Sequence, residues 1–277
     1  MVMDKKYQQL NAENIQRLLK TKTIGKEVVY FPEIDSTNQY GLKLLRGHIV
    51  SHGMVIVCNH QTSGRGRHGK KWVAPRGKAL LFSTVFTEMQ NIKQPQMLAF
   101  IGAISVAETI LQVFPMLKPT IRWPNDILIN GKKIAGILVE TTKKSHKDLS
   151  TGAVMGIGIN INQSRNDFPD EMNQAAASLF MFTGRRILRL EILIPMLEHL
   201  ERFYTMLEQG YEKRFWSRLK KLCSTLGKGV QIHTPDNKII AGTAVDIDND
   251  GGLLVRLDNG TNTKFYSGDV IEVEWIA

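Results

Sequence analysis

The sequence is poor in the features that mark several classes of protein. It has two cysteines and nine prolines in 277 residues, and no internal repeat or low-complexity linker. The most apolar window, residues 97–114, is interrupted by polar and charged side chains, so no stretch predicts a membrane span. Cys58 and Cys223 do not look like a disulfide framework, which favours a reducing compartment. Because the N-terminus also lacks a signal-peptide pattern, we expect a cytoplasmic protein.

The composition is that of a globular protein with a basic surface. Hydrophobic residues make up 43% of the chain and charged residues 22%, which excludes the disordered and fibrous classes. At roughly 100–200 residues per domain, the length allows one large domain and one small one. Lys and Arg number 36 against 26 Asp and Glu, a formal charge of +10. Such a surface attracts nucleotides, nucleic acid or an acidic partner protein.

Hydrophobic periodicity predicts two domains, residues 1–226 and residues 227–277. The larger one mixes helices with hairpin-linked strands, which indicates an α+β fold, and the smaller one reads as a β-barrel or sandwich. Its turns are predicted at 235–237, 248–252 and 259–260. Predicted helices cover 11–20, a segment that begins at Ser36 and Thr37, 96–114 and most of 188–226. Predicted strands of the larger domain cover 28–34, 54–58, 79–86, 121–123, 126–129, 134–140 and 153–161, with Asn130-Gly131 as a tight hairpin turn.

The segment 61–72 has the chemistry of an anion-binding loop. It matches a dinucleotide fingerprint formally, but residues 72–77 cannot continue the helix that this motif must open. It also matches a P-loop as far as Lys70, but Lys71 stands where a hydroxyl should reach magnesium. What remains is a glycine-rich cationic clamp suited to polyphosphate, with Trp72 placed to cover a ring or to be buried when the loop closes. A solvated basic loop is the alternative.

A second group of residues surrounds the predicted hairpin. Asn125 and Asp126 follow a proline and begin an apolar strand, and one lysine of the pair Lys132-Lys133 lies at the start of the opposite strand. Gly136 leaves space for a ligand there. Taken singly, Asp126 could cap a turn and the lysines could be exposed at the hairpin tip. Their occurrence together with the arginine-rich loop favours an anion site.

These blocks, in this order, resemble the biotin protein ligase family. The blocks are Asp35-Ser36-Thr37-Asn38, residues 64–72, Trp123-Pro124-Asn125-Asp126, residues 133–140 and Gly156-Ile157-Gly158-Ile159-Asn160. The resemblance covers residues 11–226, and the β-rich tail resembles the small barrel that ends bacterial members. It implies a fold similar to the catalytic domain of class II aminoacyl-tRNA synthetases, with a mixed, largely antiparallel sheet. It also implies two steps, in which biotin and ATP form biotinyl-adenylate and a carrier lysine then takes the biotinyl group.

The resemblance also assigns residue roles. Arg67 and Lys133 would stabilise negative charge during activation, and Asp126 would orient or deprotonate the incoming lysine. The implied biotin contacts are Ser36, Thr37, Asn38, Gln61, Gly64, Arg65, Gly66, Lys133 and Gly136. The implied contacts to ATP or the adenylate are Arg65, Arg67, His68, Lys70, Trp72, Asn125 and Asn160. ATP chemistry of this kind uses Mg²⁺ carried with the nucleotide, and the histidine spacing predicts no protein-bound metal.

Several further expectations follow. His68 stands where the family's bacterial pattern has arginine, which makes one cation of the loop pH-dependent. The chain begins too late for the family's N-terminal DNA-binding domain, so no repressor role is expected. The implied partner is the acidic biotin carrier domain of a carboxylase, and a homodimer is possible. Two alternatives stay open: a lipoate or octanoate ligase of the same fold, and a basic nucleic-acid-binding protein.

Overall fold

A computed structural model describes residues 9–87, 89, 92, 94–142, 152–172, 174–234 and 238–273. The helices are α1 (Ala12–Leu18), α2 (Thr37–Arg46), α3 (Met97–Val113), α4 (Leu179–Thr183), α5 (Arg189–Glu208) and α6 (Glu212–Leu222). The strands are β1 (Val28–Phe31), β2 (Val55–Cys58), β3 (Ala79–Phe86), β4 (Pro119–Arg122), β5 (Asp126–Ile129), β6 (Lys132–Thr141), β7 (Ala153–Asn160), β8 (Gly229–His233), β9 (Ile239–Ile247), β10 (Leu253–Arg256), β11 (Asn262–Phe265) and β12 (Asp269–Val273).

The larger sheet has seven strands in the order β1-β2-β3-β7-β6-β5-β4. Strands β1 and β2 run parallel, and all the other neighbouring pairs are antiparallel. The sheet is therefore mixed and largely antiparallel, as predicted. Helix α2 packs on one face of this sheet, and α3 and α5 pack on the other.

Strand β7 shows how the two faces of this sheet differ. Because side chains alternate along a strand, Met155, Ile157 and Ile159 all point into the core beneath α3. The residues between them, Gly156 and Gly158, belong to the face that carries α2. Helix α2 covers only part of that face. The glycines leave the uncovered part without side chains, and a cavity lies there.

The smaller sheet has five antiparallel strands in the order β11-β10-β9-β8-β12. Its buried side chains, such as Val230 and Leu253, belong to the same hydrophobic cluster as the core of the larger sheet. The Trp123 indole Nε1 donates a hydrogen bond to the Gly251 carbonyl at 3.0 Å, and its backbone N donates to Thr225 Oγ1 at 3.1 Å. The segment that precedes β5 is therefore anchored directly to the smaller sheet.

Most predicted elements occur, with shifted ends. The hairpin at Asn130-Gly131 is confirmed, with positive φ at both positions. Helix α2 begins after Ser36, whose hydroxyl accepts a bond from the Gln39 backbone. The helical segment predicted over 188–226 is two helices, because Gly210 adopts a left-handed conformation between α5 and α6. Strand β1 ends at residue 31 rather than 34, and the short helix α4 was not predicted. Of the three turns predicted in the tail, 235–237 lies outside the described residues.

Candidate active site

The cavity on the α2 side of the larger sheet has a volume of about 360 Å³, within the range of small-molecule sites. Gly136, Gly156 and Gly158 line its floor. A Cβ at Gly158 would lie 2.6 Å from the Trp72 ring, and one at Gly156 would lie 2.2 Å from Asn38 Oδ1. Only glycine permits these close approaches, so the glycines of β6 and β7 set the depth of the cavity.

One end of the cavity is a buried polar cluster at the start of α2. Ser36, Thr37 and Asn38 are each less than 5% exposed. Gln61 Oε1 accepts hydrogen bonds from the Thr37 backbone N at 2.8 Å and from its hydroxyl at 3.0 Å. The Ser83 hydroxyl lies 2.6 Å from both Thr37 Oγ1 and Asn38 Oδ1. This end, which we call the head site, is held by partners within the protein before any ligand arrives.

The loop 61–72, which we call the glycine–arginine loop, folds back on itself over the cavity. The backbone N of Trp72 donates to Gly64 O at 3.0 Å, and that of Gly66 donates to Lys70 O at 2.7 Å. Gly64 is required because a Cβ there would lie 2.3 Å from the Trp72 carbonyl oxygen. Residues 67–69 form a 3-10 turn at the tip, with His68 in the left-handed region. The predicted loop chemistry is therefore confirmed as a compact hairpin rather than a helix start.

Cations of the loop and of β6 meet at the other end of the cavity, which we call the phosphate site. Lys133 Nζ lies 2.6 Å from Asp126 Oδ1, and Arg122 Nη2 lies 2.7 Å from Asp126 Oδ2. Lys70 Nζ lies 2.6 Å from Asp269 Oδ2, a carboxylate of the smaller sheet. Three cations that could receive phosphate therefore share two carboxylates of the protein itself, and this end keeps a net positive charge.

Arg67 is a partly buried cation of this end. Its Nη1 donates to Asn125 Oδ1 at 2.9 Å, and Asn125 Nδ2 donates to the Ile137 carbonyl at 2.8 Å. Burial lowers the pKa of the Arg67 guanidinium, while the charges of Asp269 and Asp126 oppose that shift. Arg67 remains a cation, since arginine does not lose its proton in proteins. Asn125 thus fixes the direction in which this charge points.

The pKa of the Asp269 carboxyl lies below its usual range. Partial burial alone would raise this pKa, but the hydrogen bond and charge of Lys70, together with the charges of His68 and Arg67, outweigh burial. His68 Nε2 lies 3.8 Å from Asp269 Oδ1. Asp269 therefore stays ionised at neutral pH and faces the loop as an anion.

Trp72 lies in the middle of the cavity. A Cβ at Gly136 would lie 3.2 Å from its ring and one at Gly158 would lie 2.6 Å from it, and the Lys133 ammonium lies 5.8 Å from the ring centroid. The indole Nε1 is buried and has no hydrogen-bond partner among the described residues. An unpaired donor in such a place can pair with a ligand. The assignment of Trp72 to the adenine side stays a prediction, since these contacts define only its place in the floor.

The structure brings most of the predicted site residues to one cavity. Those that line it are Ser36, Thr37, Asn38, Gln61, Arg65, Gly66, Arg67, Lys70, Trp72, Asn125, Asp126, Lys133, Gly136 and Asn160. Gly64 and His68 do not line it, because Gly64 packs against the Trp72 backbone and His68 faces Asp269. The Asn160 amide is already used, since Nδ2 donates to Ala177 O at 3.1 Å and Oδ1 accepts from Gln163 at 2.8 Å.

Several residues of the site were not predicted. Ser83 is a buried hydroxyl within the apolar strand β3, and that interruption is the signal that could have found it. Phe168 and Met172, from the segment after β7, line the cavity, and Met172 is 40% exposed. Asp269 carries no local signal, because its role depends on a contact across 199 positions of sequence. Glu140, which stands in a block quoted above, pairs with Arg65 at 3.2 Å.

Within the described residues, no group of three His, Cys, Asp or Glu side chains is placed to hold a metal ion. None of the helices in this described part of the chain is both long and apolar enough to cross a membrane. Cys58 and Cys223 are both free and buried. Burial raises the pKa of the Cys58 thiol to about 12, although the charge of Arg189 opposes this. Cys58 is therefore an unreactive core thiol.

Comparisons with known proteins agree on one family. Residues 30–160 match the model of the biotin/lipoate A/B protein ligase family, and residues 225–271 match the biotin protein ligase C terminal domain. The chain is 32% identical over 269 residues to the bifunctional ligase/repressor BirA of Bacillus subtilis (strain 168), covering 96% of this chain and 80% of that protein. It is 30% identical over 268 residues to the biotin--[acetyl-CoA-carboxylase] ligase of Mycobacterium tuberculosis, covering 93% of this chain and 95% of that one.

A solved structure shares the fold over most of the chain. The biotin protein ligase from Aquifex aeolicus in complex with biotin and ATP superposes with a TM-score of 0.77 at 27% identity, covering 90% of this chain and 100% of that one. The sequence relatives, the two matched models and this structure agree on the same assignment. The chain belongs to the biotin protein ligase family.

Proposed function

We propose that this chain is an ATP-dependent biotin protein ligase. Biotin's carboxylate oxygen would attack the α-phosphorus of ATP, breaking the bond to the β-phosphate and forming biotinyl-5'-AMP and pyrophosphate. A carrier lysine amine would then attack the acyl carbon, releasing AMP and a proton. The observation that carries this proposal is one cavity that joins a buried polar head site to a cationic phosphate site over a floor of glycines.

The head site suits the ureido ring of biotin. A ring with one carbonyl and two N–H groups needs both donors and acceptors, which Ser36, Thr37, Asn38 and Gln61 provide in a largely buried place. The glycine–arginine loop would add contacts from the backbone around Arg65. Gly136 and Gly158 would line the path of the apolar tail, which suits a cavity that is mostly apolar between its two ends, and Trp72 would contact the adenine.

The phosphate site suits the charge that builds during activation. Lys133 would exchange Asp126 for the biotin carboxylate and then for the acyl-phosphate oxygens, and Arg67 would face the α-phosphate. Fixed cations of this kind stabilise a transition state most when they are already oriented, and Asn125 orients Arg67. Lys70 would contact the outer phosphates, with Asn160 on the adenine side.

The second step needs a group that accepts or orients the proton of the incoming lysine. Asp126 would take this role, because it lines the cavity beside Lys133 and is a carboxylate, which only accepts hydrogen bonds when ionised. The same carboxylate fits a nucleotide-borne Mg²⁺, an ion that is usually held by one or two carboxylates and by substrate phosphates. When bound, the ion would neutralise phosphate charge and orient the leaving pyrophosphate.

Further proposals concern the parts of the molecule around the site. The acceptor would be the biotin carrier domain of a carboxylase, an acidic partner drawn to the +10 charge of this chain, in the cytoplasm. We also propose a catalytic domain at 1–226 that resembles the class II synthetase domain, and a barrel-like domain at 227–277. Homodimer formation belongs to the same set of proposals.

The competing functions make different predictions for one experiment. The first family model describes both biotin and lipoate ligases, whereas the Mycobacterium tuberculosis relative is named for biotin alone. Exchange of labelled pyrophosphate into ATP should therefore require biotin and should not occur with octanoate, lipoate or no acid. Exchange with octanoate or lipoate but not with biotin would indicate a lipoate or octanoate ligase instead. Absence of exchange, together with DNA affinity that falls steeply with salt, would favour the nucleic-acid-binding alternative.

A further inference from the structure

Glu140, near the end of β6, joins two separate parts of the cavity wall. Its Oε1 lies 3.2 Å from Arg65 Nη1 in the glycine–arginine loop, and its Oε2 accepts a hydrogen bond from Asn38 Nδ2 at 2.9 Å. The Glu140 side chain is 18% exposed and does not line the cavity. It therefore acts on the site only through the two residues that it holds.

Two acceptors determine which way round the Asn38 amide lies: its Nδ2 donates to Glu140 Oε2 at 2.9 Å and to the Leu138 carbonyl oxygen at 3.2 Å. An ionised carboxylate only accepts hydrogen bonds, so Asn38 must turn its Nδ2 toward Glu140. Its Oδ1 then faces Ser83, whose hydroxyl lies 2.6 Å away. The single proton of Ser83 is used for Asn38, which leaves the Thr37 hydroxyl to donate to Gln61 or to Ser83.

The chain of contacts closes on itself. It starts at Arg65, passes through Glu140 and Asn38 into the head site, and returns to the loop at Gln61, four residues before Arg65. Both ends of the glycine–arginine loop segment 61–65 are thus tied to the first turn of α2. The Arg65 end depends on one carboxylate.

We propose that Glu140 is a positioning residue for biotin: together with the Leu138 carbonyl it orients the Asn38 amide, and through it the hydroxyls of the head site, and it holds Arg65 of the loop over that site. This inference rests on the proposed function, since it assigns biotin to the head site. The ion pair between Arg65 and Glu140 contributes little to biotin binding by itself, because the Arg65 side chain is about half exposed and ion pairs open to solvent are weak. The orientation of Asn38 carries the larger part of the effect, because that side chain is buried.

Glu140→Gln is the test variant. A glutamine can present its own NH₂ to either neighbour, so Asn38 keeps only the Leu138 carbonyl as an obligatory acceptor and is held less firmly, and Arg65 loses its anion. The matched control is Glu191→Gln, because Glu191 pairs with Arg185 at 3.0 Å with a similar exposure of both side chains and lies away from the cavity. The measurements are the KM values for biotin and ATP and the kcat of biotin-dependent pyrophosphate exchange.

We expect Glu140→Gln to raise the biotin KM at least fivefold while the ATP KM and kcat stay within twofold. Glu191→Gln should change none of the three. Glu140→Asp, which keeps an acceptor-only carboxylate, should recover more of the biotin KM than Glu140→Gln does. A biotin KM within twofold of wild type in Glu140→Gln would overturn the inference, as would equal increases in both KM values or a poorer recovery by Glu140→Asp.

The inference and the proposed function fail in different ways. If the wild-type protein shows no biotin-dependent exchange, the proposed function fails. If the wild type exchanges normally and Glu140→Gln behaves as the control does, only the role of Glu140 fails. Calorimetric titration of biotin in the absence of ATP gives a second readout, in which Glu140→Gln should weaken binding at least fivefold and Glu191→Gln should not weaken it.

Discussion

The two ends of the cavity are built on opposite principles. At the head site, buried hydroxyl and amide groups satisfy one another, as Gln61 does for Thr37. At the phosphate site, cations are paired with carboxylates that a ligand would have to displace, as Asp269 is paired with Lys70. The first end is organised before a ligand arrives, and at the second the internal carboxylates balance part of the positive charge until one does.

The difference follows from the chemistry of the groups. A neutral hydroxyl or amide costs little to bury once its hydrogen bonds are made, so the head site can be closed and rigid. A cluster of cations would repel itself without anions, so the phosphate site needs internal carboxylates until phosphate replaces them. A rigid head site and a phosphate site with exchangeable ion pairs can therefore coexist in one cavity. Substitutions at the two ends should have different effects on activity.

The largest effect is expected from removing either of the two cations that we place beside the reacting atoms. Lys133→Ala and Arg67→Ala should each lower the rate of adenylate formation by about 10²-fold or more, because each removes an oriented charge from the reacting centre. The biotin affinity of Arg67→Ala should change little, since Arg67 lies at the other end of the cavity. Rapid-quench measurement of adenylate formation is the direct assay.

Lys132→Ala is the matched control for these variants, because Lys132 is adjacent in sequence but does not line the cavity. It should keep the wild-type rate within about twofold, as surface substitutions usually do. Equal, mild losses in all three variants would contradict the assignment of the phosphate site.

A second large effect should appear in the transfer step, measured apart from activation. Asp126→Asn should slow transfer from preformed adenylate to the carrier by roughly 10²-fold, because an amide cannot accept the proton of the incoming lysine. Single-turnover transfer isolates this step from activation. Glu108→Gln is the control, since Glu108 also pairs with an arginine, Arg218, but on α3 and away from the cavity. Normal transfer by Asp126→Asn would remove Asp126 from the mechanism.

Alanine substitutions of the floor glycines should have intermediate effects, and these should distinguish the head site from the part of the cavity around Trp72. An alanine at 156 would press on Asn38, which is buried and bonded on both sides, whereas an alanine at 158 would press on the half-buried ring of Trp72. Gly156→Ala should therefore raise the biotin Kd by about tenfold or more, and Gly158→Ala by less, since overpacking costs most where neighbours cannot move. Gly47→Ala, at the end of α2, is the control.

Calorimetric titration with biotin measures all three variants. A larger loss in Gly158→Ala than in Gly156→Ala would mean that the Trp72 region, and not the head site, is the rigid part of the cavity.

The sequence allowed prediction of the features that depend on neighbours along the chain. Ser36 caps α2, Asn130-Gly131 makes the hairpin turn, and residues 64–72 form a cationic loop, because each depends on local backbone preferences. The α+β class followed from the mixture of helices and hairpin-linked strands, and the mixed, largely antiparallel sheet was implied by the family resemblance. Most of the fold was therefore predictable, apart from the ends of elements and short helices such as α4.

The partners of the predicted site residues were harder to predict. Ser83 meets Asn38 across 45 positions and Lys70 meets Asp269 across 199, and no local pattern encodes either contact. Glu140 was visible only as the last residue of a matched block, without its link to Arg65. Sequence motifs thus identify the groups that would contact substrates, whereas the internal groups that orient or neutralise them depend on the tertiary fold.

The smallest effect is expected from a substitution of Asp269, the carboxylate that pairs with Lys70 of the glycine–arginine loop. Asp269→Asn should lower the KM for ATP by about twofold to fivefold, because phosphate no longer competes with an anion for Lys70 and exposed ion pairs are weak. Since the pKa of Asp269 lies below its usual range, the carboxylate is charged throughout pH 6 to 9, and the ratio of the two KM values should be constant there. The stabilisation from this pair would disappear only as the pH falls below about 4, through the lowered pKa of the folded state.

Asp246→Asn, which removes a carboxylate paired with Lys220 elsewhere on the smaller sheet, should leave the KM for ATP unchanged. A raised KM in Asp269→Asn would show instead that Asp269 organises the loop for ATP, and the phosphate site would then be as preformed as the head site.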